Sequence, residues 1–459
     1  MKAPEKKYIS LFGAGRSATH LINYLASQGI YNNWNINICE VDTELANKST
    51  VGFSNINVIP IDVTDAQKRI DEIKKADLVI SMLPAVLHLP LASLCADIGV
   101  DMLTASYVTD EIKQLDGAFK AKNKVLLMEC GLDPGIDHMS GMRTLDKIRD
   151  AGNKLTGFET FTGGLLAPGN MDNPWQYKFT WNPRNVVLAG QCIVKFIQDG
   201  KMKYIPYHRL FRRYEMIHIP GYGYFEGYAN RDSLKYLEIY KLQGIKTLYR
   251  GTLRRPGFCR AWNVFVQLGA TDDSYPMQGV QKMTHREFIN SFLYYNPEDS
   301  VELKLAHYLN INLEAEVMFK LKWLGIFEHT PIGLESGTPA QILEHILKKK
   351  WTLNANDKDM IVMWHKFDFI NTDGQKKQLQ SHMVVEGNNE RETAMSMTVG
   401  IPLGIAAKLI LTGKIITSGV RIPNEKDLYE PILNELESYG IAFTENEVDP
   451  LATQTIPLN

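Results

Sequence analysis

The sequence predicts an α/β protein with two domains: a doubly wound parallel sheet, and a mixed-sheet α+β domain with a small helical insertion. Strand and helix patterns alternate through roughly the first 130 residues, a glycine turn joins the first strand to the first helix, and longer, aromatic-rich strands follow from about residue 155. We expect residues 1–133 and about 391–459 to form the first domain. The second domain is expected to comprise 134–276 and about 351–390, and the helical insertion 277–350.

The glycine turn gives the first domain a chemical role. The strand Tyr8–Phe12 leads into the run from Gly13 to Ala18, and an apolar-periodic helix follows. Gly13 permits the tight turn, Gly15 lets backbone N–H groups approach a pyrophosphate, and Ala18 allows close packing of the helix. This Rossmann-like pattern predicts a dinucleotide whose phosphates lie at a helix N-terminus. The alternative is a tight strand-to-helix turn without a nucleotide.

The end of the second strand predicts which dinucleotide binds. The strand Asn35–Cys39 is followed by Glu40 and, two residues later, by Asp42. An adenosine ribose 2′-hydroxyl needs an acidic acceptor at this position. The pattern therefore favours NAD over NADP.

The remaining strands of this domain place further residues at the same edge of the sheet. Ligands of doubly wound sheets bind at the carboxyl ends of the strands, so Leu83-Pro84, Ser106-Tyr107 and Gly131–Asp133 are candidates for the cleft. The predicted strands and helices are strand Val58–Val63, a helix through Ile70 and Ile73, strand Ala76–Pro84, a helix from about Leu89 to Ile98, strand Asp101–Ala105, a helix from about Glu111 to Lys120, and strand Val125–Met128.

Composition excludes several classes of protein. The 459 residues carry a net charge of −2, which provides no general attraction to nucleic acid or to an anionic membrane. The first residues lack an apolar signal segment, and no run reaches the ~20 apolar residues of a membrane span, so we expect a cytoplasmic protein. The five cysteines are widely spaced, which predicts neither disulfides nor a structural zinc site, and we expect no metal.

The C-terminal half has three recognisable local patterns. Capping-box spacing from Thr284 to Glu287 and from Thr338 to Gln341 predicts two helix starts in the insertion. The strands Met360–Phe369 and Gln378–Val385 are separated by turn residues and complete the second sheet. Pro402 interrupts an apolar helical stretch, which predicts two helices, the second ending at Gly413.

One stretch of the second domain is strongly basic. Residues 201–260 contain 13 Lys or Arg against 4 Asp or Glu, which predicts an anionic ligand. Aromatic residues lie among these charges, so a single-stranded nucleic-acid surface is a rival interpretation, and a solvated basic face is another. These aromatic residues include Tyr222, Tyr224, Phe225, Tyr228, Tyr236 and Tyr249.

Two patterns in that stretch favour a small polycarboxylate. Arg231 follows a turn-rich loop, where we expect its side chain to be exposed rather than packed. Strand alternation places Arg250, Thr252 and Arg254 on one face. Because a planar guanidinium binds a carboxylate through two hydrogen bonds, several arginines suit a ligand with several carboxylates.

The segment Gly131–His138 leaves the last strand of the first domain. Asp133 precedes a proline at the strand terminus, where it can bind a ligand, transfer a proton, or form an Asx turn that starts the next helix. His138 falls inside that helix, and a structural role is favoured over a catalytic one.

These residues resemble the glutamate-forming branch of the saccharopine dehydrogenase family. The resemblance spans nearly the whole chain. It rests on the segments Asp77–Pro84, Thr104–Val108, Gly131–His138, Gly163–Pro168, Asn173–Trp181, Glu226–Ser233 and Arg250–Arg254.

The resemblance implies oxidation of saccharopine to glutamate and 2-aminoadipate 6-semialdehyde, or the reverse, with hydride transfer to or from NAD or NADP. It implies a small-molecule substrate and no nucleic-acid or membrane partner, and we expect a possible homodimer. Asp133 and Tyr107 are the candidates for proton transfer. The implied substrate contacts are Ser106, Arg231, Thr252, Leu253 and Arg254. The expected cofactor contacts are Gly13, Gly15, Arg16, Ser17, Ala18, Glu40, Asp42, Asp62, Val63, Leu83, Thr104, Leu132, Asp133 and Trp181.

Three positions depart from the family pattern. Glu40 stands where NADP-using members have an arginine, Ala85 replaces a tyrosine, and Thr162 replaces a cysteine. A mechanism that requires that tyrosine or cysteine is therefore not expected here. The alternative functions are a related enzyme that acts on another carboxylated amine, such as a carboxynorspermidine-type substrate, and a non-catalytic nucleotide-binding protein.

Overall fold

The computed structural model describes residues 5–48, 50–189, 191 and 193–450. The chain divides into two compact units, 1–151 with 383–444 and 152–382 with 445–459. The strands in the described part are β1 Lys7–Phe12, β2 Trp34–Cys39, β3 Ile56–Ile59, β4 Leu78–Ser81, β5 Asp101–Thr104, β6 Val125–Leu127, β7 Lys154–Leu166, β8 Val194–Gln198, β9 Lys201–Ile205, β10 Tyr214–Ile219, β11 Gly223–Ala229, β12 Thr247–Arg254, β13 Asp359–Ile370, β14 Lys376–Glu386, β15 Gly419–Arg421 and β16 Thr444–Val448.

Helices separate most of these strands. They are α1 Thr19–Asn32, α2 Thr43–Lys48, α3 Ala66–Ile73, α4 His88–Ile98, α5 Asp110–Lys113, α6 Asp116–Ala121, α7 Ile136–Asp150, α8 Pro183–Val187, α9 Tyr236–Ile239, α10 Phe258–Leu268, α11 His285–Asn290, α12 Val301–Leu309, α13 Glu316–Trp323, α14 Pro339–Trp351, α15 Ala394–Leu411 and α16 Lys426–Glu437.

The first unit contains a seven-stranded parallel sheet in the order β15-β6-β5-β4-β1-β2-β3. All its strand pairs are parallel, and the short central strands β1 and β4 are mostly apolar. The strand order reverses direction between β1 and β4, which is the switch point where doubly wound sheets bind ligands. The predicted fold class is thus confirmed for this unit.

The prediction of two helices around Pro402 was wrong. Residues 394–411 form the single helix α15, with Pro402 in its interior. The reason is tertiary packing: Gly400 and Gly404 have no side chains, so α15 packs directly against Leu21 and Tyr24 of α1. By length and composition α15 could cross a membrane, but 78% of it is buried inside the fold, as is typical of a core helix.

The second unit contains a mixed sheet in the order β10-β11-β12-β7-β13-β14-β16, with β8 paired to β12 and β9 paired to β8. Strands β12 and β7 run parallel, whereas β7 and β13 run antiparallel. Both predicted capping boxes are present, at the starts of α11 and α14. Strands β13 and β14 flank the predicted turn that contains Gly374.

The predicted boundaries differ from the observed ones in several places. Helix α7 belongs to the first unit, although the second domain was expected to begin at residue 134. Strand β16 pairs in the second sheet, although residues from about 391 to 459 were expected in the first domain. The strand expected at Val58–Val63 ends at Ile59, and the helix expected from Glu111 to Lys120 is divided into α5 and α6. Sheet pairing over a long sequence separation, as for β16, leaves no local pattern in the sequence.

Candidate active site

The glycine turn after β1 has the geometry that a dinucleotide requires. Gly13 has a φ of +93°, and a Cβ added there would lie 3.1 Å from the backbone of Met82. Its N–H donates to the carbonyl of Cys39 at 3.0 Å, which closes the turn onto β2. Gly15 is exposed, and nothing described lies within 4 Å of an added Cβ. The turn therefore has no space for a side chain at Gly13, whereas the backbone at Gly15 is accessible. A pyrophosphate fits beside the Gly15 backbone.

The helix start after this turn also fits a pyrophosphate. Arg16–Ala18 form a single 3₁₀ turn before α1, and among the described residues no side chain caps its N-terminus. Arg16 is exposed, Ser17 is half-buried, and Ala18 is buried. Uncapped N–H groups at a helix start bind phosphate oxygens well.

The side chain of Glu40 is hydrogen-bonded to the glycine turn. Its Oε2 accepts a hydrogen bond from the Ala14 N–H at 2.8 Å, and its Oε1 accepts from the Val41 N–H at 2.8 Å. The carboxylate is therefore held at the carboxyl end of β2, where an adenosine ribose is expected. Asp42, the second candidate, is exposed two residues further on.

The other predicted cofactor residues of the first unit occupy strand ends or the loops after them. Asp62 is exposed, and its carboxylate accepts hydrogen bonds from the N–H and hydroxyl of Thr64, which lower its pKa below the usual range. Val63 and Leu83 are half-buried, and Thr104 is buried at the end of β5. These residues therefore lie where doubly wound sheets bind their ligands.

The two proton-transfer candidates are in direct contact. Tyr107 Oη donates to Asp133 Oδ1 at 2.9 Å, across the ends of β5 and β6. Both side chains are half-buried. The turn that carries Asp133 needs glycine, because a Cβ on Gly135, which has a φ of +150°, would lie 2.1 Å from the Gly131 carbonyl oxygen. Leu132 is buried beside it.

A buried histidine that sequence reasoning missed holds Ser106. His88 Nε2 lies 2.6 Å from Ser106 Oγ, and His88 Nδ1 lies 2.9 Å from Ser81 Oγ. Burial lowers the pKa of His88 to about 4, so its imidazole is neutral at pH 7. The hydroxyls of two strand ends are thus joined through one neutral ring.

A second buried histidine, His138, contacts the side chain of a buried glutamate. His138 Nε2 lies 2.7 Å from Glu129 Oε2, and Glu129 Oε1 accepts from the Val108 N–H at 2.9 Å. Asp137 accepts from the Gly135 N–H at 2.7 Å. This cluster fastens the loop after β6, which supports the structural role expected for His138.

The predicted arginine face is present in the second unit. Arg250 pairs with Thr160 of β7, and Thr252 pairs with Thr162, so these side chains share one face with Arg254. Arg250 and Arg254 are buried, and so are both threonines of β7. The hydroxyls of Thr160 and Thr162 have no hydrogen-bond partner among the described residues. A buried polar face of this kind has capacity for a polar ligand.

Arg254 is the most unusual cation on this face. It is 5% exposed, and its guanidinium lies 5.1 Å from the Tyr177 ring centroid and 5.2 Å from that of Phe258. Its Nη1 donates to the Leu253 carbonyl at 3.0 Å, while its Nε has no partner. No carboxylate in the described chain forms an ion pair with it. A buried guanidinium without a carboxylate is costly unless a ligand supplies one.

The remaining substrate and cofactor candidates in this unit have different surroundings. Arg231 is exposed with a φ of +57°, as expected for a loop, and Trp181 is half-buried. The side chain of Leu253 is completely buried on the sheet face opposite to Arg254. The contact that the resemblance implies for Leu253 stays a prediction.

Of the 13 Lys and Arg side chains in the basic stretch, eight are exposed, two are half-buried and three are buried, so most of its charge does form a solvated face. Arg250, Arg254 and Arg255 are buried, and of the six aromatic residues among the charges only Tyr222 and Tyr224 have more than slight exposure. Buried rings cannot stack on bases, so the nucleic-acid interpretation loses its main support. Among the described residues, no group of His, Cys, Asp and Glu side chains is arranged to hold a metal ion.

Two parts of the chain match models of the same protein family. Residues 9–127 match the model described as the saccharopine dehydrogenase NADP binding domain. Residues 131–441 match the model described as the saccharopine dehydrogenase C-terminal domain.

Individual relatives cover nearly the whole chain. The chain is 31% identical over 454 residues to the saccharopine dehydrogenase [NADP(+), L-glutamate-forming] of Saccharomyces cerevisiae, covering 96% of this chain and 99% of the relative. It is 32% identical over 445 residues to the mitochondrial alpha-aminoadipic semialdehyde synthase of Rattus norvegicus, covering 95% of this chain and 47% of the relative. The chain thus spans about half the length of the mammalian relatives it matches.

A solved structure has the same fold over its whole length. The apo saccharopine dehydrogenase (L-Glu forming) from Saccharomyces cerevisiae superposes with a TM-score of 0.85 at 29% identity, covering 96% of this chain and 100% of that chain. The names of the fungal relatives specify NADP(+), which differs from the NAD predicted from Glu40.

Proposed function

Because the chain belongs to the saccharopine dehydrogenase family, we propose that it interconverts saccharopine with L-glutamate and 2-aminoadipate 6-semialdehyde. Names of relatives at about 30% identity support this reaction, since they denote glutamate-forming saccharopine dehydrogenases and alpha-aminoadipic semialdehyde synthases. The site residues of both units support it independently. The observation that carries the proposal is the buried Arg254 guanidinium, which has no carboxylate partner in the described chain.

The family's first domain uses a nicotinamide cofactor, and the Gly13 turn, the uncapped helix start and Glu40 fit a dinucleotide. The names of the relatives favour NADP, whereas Glu40 favours NAD. We infer NAD, because the Glu40 carboxylate is fixed beside Ala14 and would repel a 2′-phosphate there. It would instead accept hydrogen bonds from ribose hydroxyls.

The proposed chemistry divides between cofactor and protein. A nicotinamide dinucleotide held at the Gly13 turn and Glu40 would supply the hydride acceptor for oxidation of saccharopine to an imine, at the aminoadipate-side carbon bonded to the secondary amine. Water adds to the imine carbon, the C–N bond breaks, and the nitrogen leaves as the amine of glutamate. One proton is released overall, so the protein must accept a proton from the protonated secondary amine and must also help move protons from the water to the departing nitrogen. The carboxylate of Asp133 is the proposed acceptor, with Tyr107 as its hydrogen-bond donor.

The proposed substrate contacts match the charge of saccharopine, which has three carboxylates. Arg254 and the exposed Arg231 are guanidinium groups suited to bidentate binding of carboxylates. Thr252 shares the face of Arg254 and adds a hydroxyl donor. Ser106, held by His88 at 2.6 Å, supplies another hydroxyl in a fixed position.

Steady-state turnover of the purified chain tests the proposal. We expect saccharopine-dependent reduction of the nicotinamide, with formation of glutamate, and a higher kcat/KM with NAD than with NADP. A carboxynorspermidine-type amine serves as the competing substrate. Reduction with that amine and none with saccharopine would replace the proposed substrate within the same fold. Absence of turnover with any amine would leave a nucleotide-binding protein.

The other expectations remain predictions. A homodimer and a cytoplasmic location are proposed on the resemblance and on the sequence alone. Size-exclusion chromatography with light scattering measures the first, and fractionation of cells that express the full-length protein measures the second.

A further inference from the structure

The helical insertion contains a surface pocket outside every residue assigned to cofactor or substrate. It has a volume of about 350 Å³ and lies on α11, on the start of α12 and on the loop that joins them. Its polar lining residues include Arg286, Asn290, Tyr294, Asn296, Asp299 and Lys304. This volume is at the small end of the range for small-molecule sites.

Lys304 gives the pocket a buried cation with unused hydrogen-bonding capacity. The residue is 5% exposed, and its ammonium donates to the Asn296 carbonyl at 3.2 Å. That bond uses one of three N–H donors, and no described carboxylate forms an ion pair with it. Arg286 differs, since its guanidinium is neutralised by Glu302 through two hydrogen bonds of 3.0 and 2.8 Å. Lys304 is therefore the cation available to an anionic group.

The same pocket offers acceptors with unused capacity. Asn290 Oδ1 is buried and has no hydrogen-bond partner among the described residues. Asp299 accepts through Oδ2 from Asn296 Nδ2 at 2.7 Å and from Tyr294 Oη at 3.2 Å, and its Oδ1 has no described partner. These two oxygens suit an ammonium group, which donates but cannot accept.

We propose that this pocket binds a free α-amino acid. The ligand carboxylate pairs with Lys304, and the ligand ammonium donates to Asn290 Oδ1 and Asp299 Oδ1. Leu293 and Val301 provide apolar lining for the ligand side chain. A zwitterion satisfies both sets of groups at once, whereas a simple anion leaves the Asn290 acceptor unsatisfied.

Isothermal titration of the full chain tests the proposal with L-lysine and L-leucine, which are neither substrates nor products of the reaction proposed above. We expect saturable binding of at least one of them. Acetate and n-butylamine, which each carry only one of the two charges, should bind at least tenfold more weakly. The result does not depend on whether saccharopine is turned over.

Matched lysine variants locate the site. Lys304→Met keeps the aliphatic stem and removes the charge, so we expect roughly a ten- to hundredfold increase in Kd. Lys322→Met, an exposed position in the same insertion, should leave the Kd unchanged. Asn290→Leu should weaken binding, and Asn290→Asp, which keeps an acceptor, should restore it. This pair provides the test if Lys304→Met does not fold.

Three outcomes would overturn the proposal. One is the absence of saturable binding by both amino acids. Another is equal binding to wild type and to folded Lys304→Met protein. The third is acetate or inorganic phosphate binding as tightly as the amino acids, which would make this a simple anion site.

Discussion

Tyr107 Oη donates a hydrogen bond to Asp133 Oδ1 at 2.9 Å, joining the loops that follow β5 and β6. The two residues are 26 positions apart in sequence, and parallel pairing of β5 with β6 brings them together. A carboxylate held by a phenol has a fixed orientation. The contact therefore makes Asp133 the better candidate for accepting a proton, and Tyr107 a residue that orients it.

Substitution of this pair should separate the two roles. We expect Asp133→Asn to lower kcat by about 10²- to 10⁴-fold, the usual contribution of a general base, with little change in the KM for saccharopine. Tyr107→Phe should lower kcat by roughly tenfold, because it removes one hydrogen bond to a charged group. Stopped-flow measurement of hydride transfer provides the comparison. An equal loss in both variants would assign the proton transfer to the phenol.

Replacement of Glu40 by arginine should invert cofactor preference. Glu40→Arg exchanges a carboxylate for a guanidinium, which attracts a 2′-phosphate and loses the acceptor for ribose hydroxyls. We expect the ratio of kcat/KM for NADP to that for NAD to rise roughly 100-fold, equivalent to about 2.7 kcal/mol. Glu44→Arg, on an exposed position of α2, is the control for net charge. An unchanged ratio for Glu40→Arg would move the ribose contact elsewhere, with Asp42 the next candidate.

Elements with strong local signals could be predicted from the sequence. Gly13 and Glu40 directly follow strand ends as predicted, because strand–turn–helix repeats are local patterns, whereas Asp133 lies in the loop six residues after β6 rather than at the strand terminus. The pairing of β16 in the second sheet could not be predicted, because the partner strand β14 lies about 60 residues earlier.

Some residues of the candidate site could not be predicted from local sequence patterns. His88 follows an apolar segment and carries no motif, and its role depends on Ser81 and Ser106, which meet it only in the folded sheet. Likewise, the buried hydroxyls of Thr160 and Thr162 face the arginines only through pairing of β7 with β12. Such constellations are defined by tertiary contacts, which a single sequence does not display.

Adding a single methyl group to Gly404, where α15 packs against α1, should destabilise the fold. A Cβ on Gly404 would lie 2.5 Å from the Tyr24 ring, so we expect Gly404→Ala to lower the free energy of unfolding by about 1–3 kcal/mol. Gly117→Ala in α6 is the matched control, since no described atom lies within 4 Å of its added Cβ. The control should be neutral or raise stability by up to about 1 kcal/mol. Urea denaturation measures both, and equal effects would contradict the packing argument.

His88 should make stability depend on pH between about 4 and 6.5. The folded-state pKa is about 4 and the ordinary value is 6.5, so as pH falls the unfolded chain takes up a proton before the folded chain does. The contribution is fully present above pH 6.5 and is lost as pH falls toward 4, by on the order of 3 kcal/mol.

His88→Gln should flatten this slope, whatever it does to stability at pH 7. His307→Gln, at an exposed position, is the matched control and should leave the slope intact. Thermal unfolding of the variants at several pH values measures the difference. A slope that persists in His88→Gln would assign the proton uptake to other groups.

Arg254 should be important for substrate binding and unimportant for folding. The guanidinium is buried on the Tyr177 and Phe258 rings without a carboxylate, so its removal relieves an unpaired charge. We expect Arg254→Met to raise the KM for saccharopine by roughly 10- to 100-fold, with unfolding free energy unchanged or higher. Arg260→Met, an exposed position on α10, should change neither quantity. If Arg254→Met instead lowers stability and leaves the KM unchanged, the arginine serves only to pack against the two rings. In that case Arg254→Lys, which loses the bidentate geometry, should also bind saccharopine normally. The substrate carboxylates must then be bound by other groups, and Arg231 is the first to test.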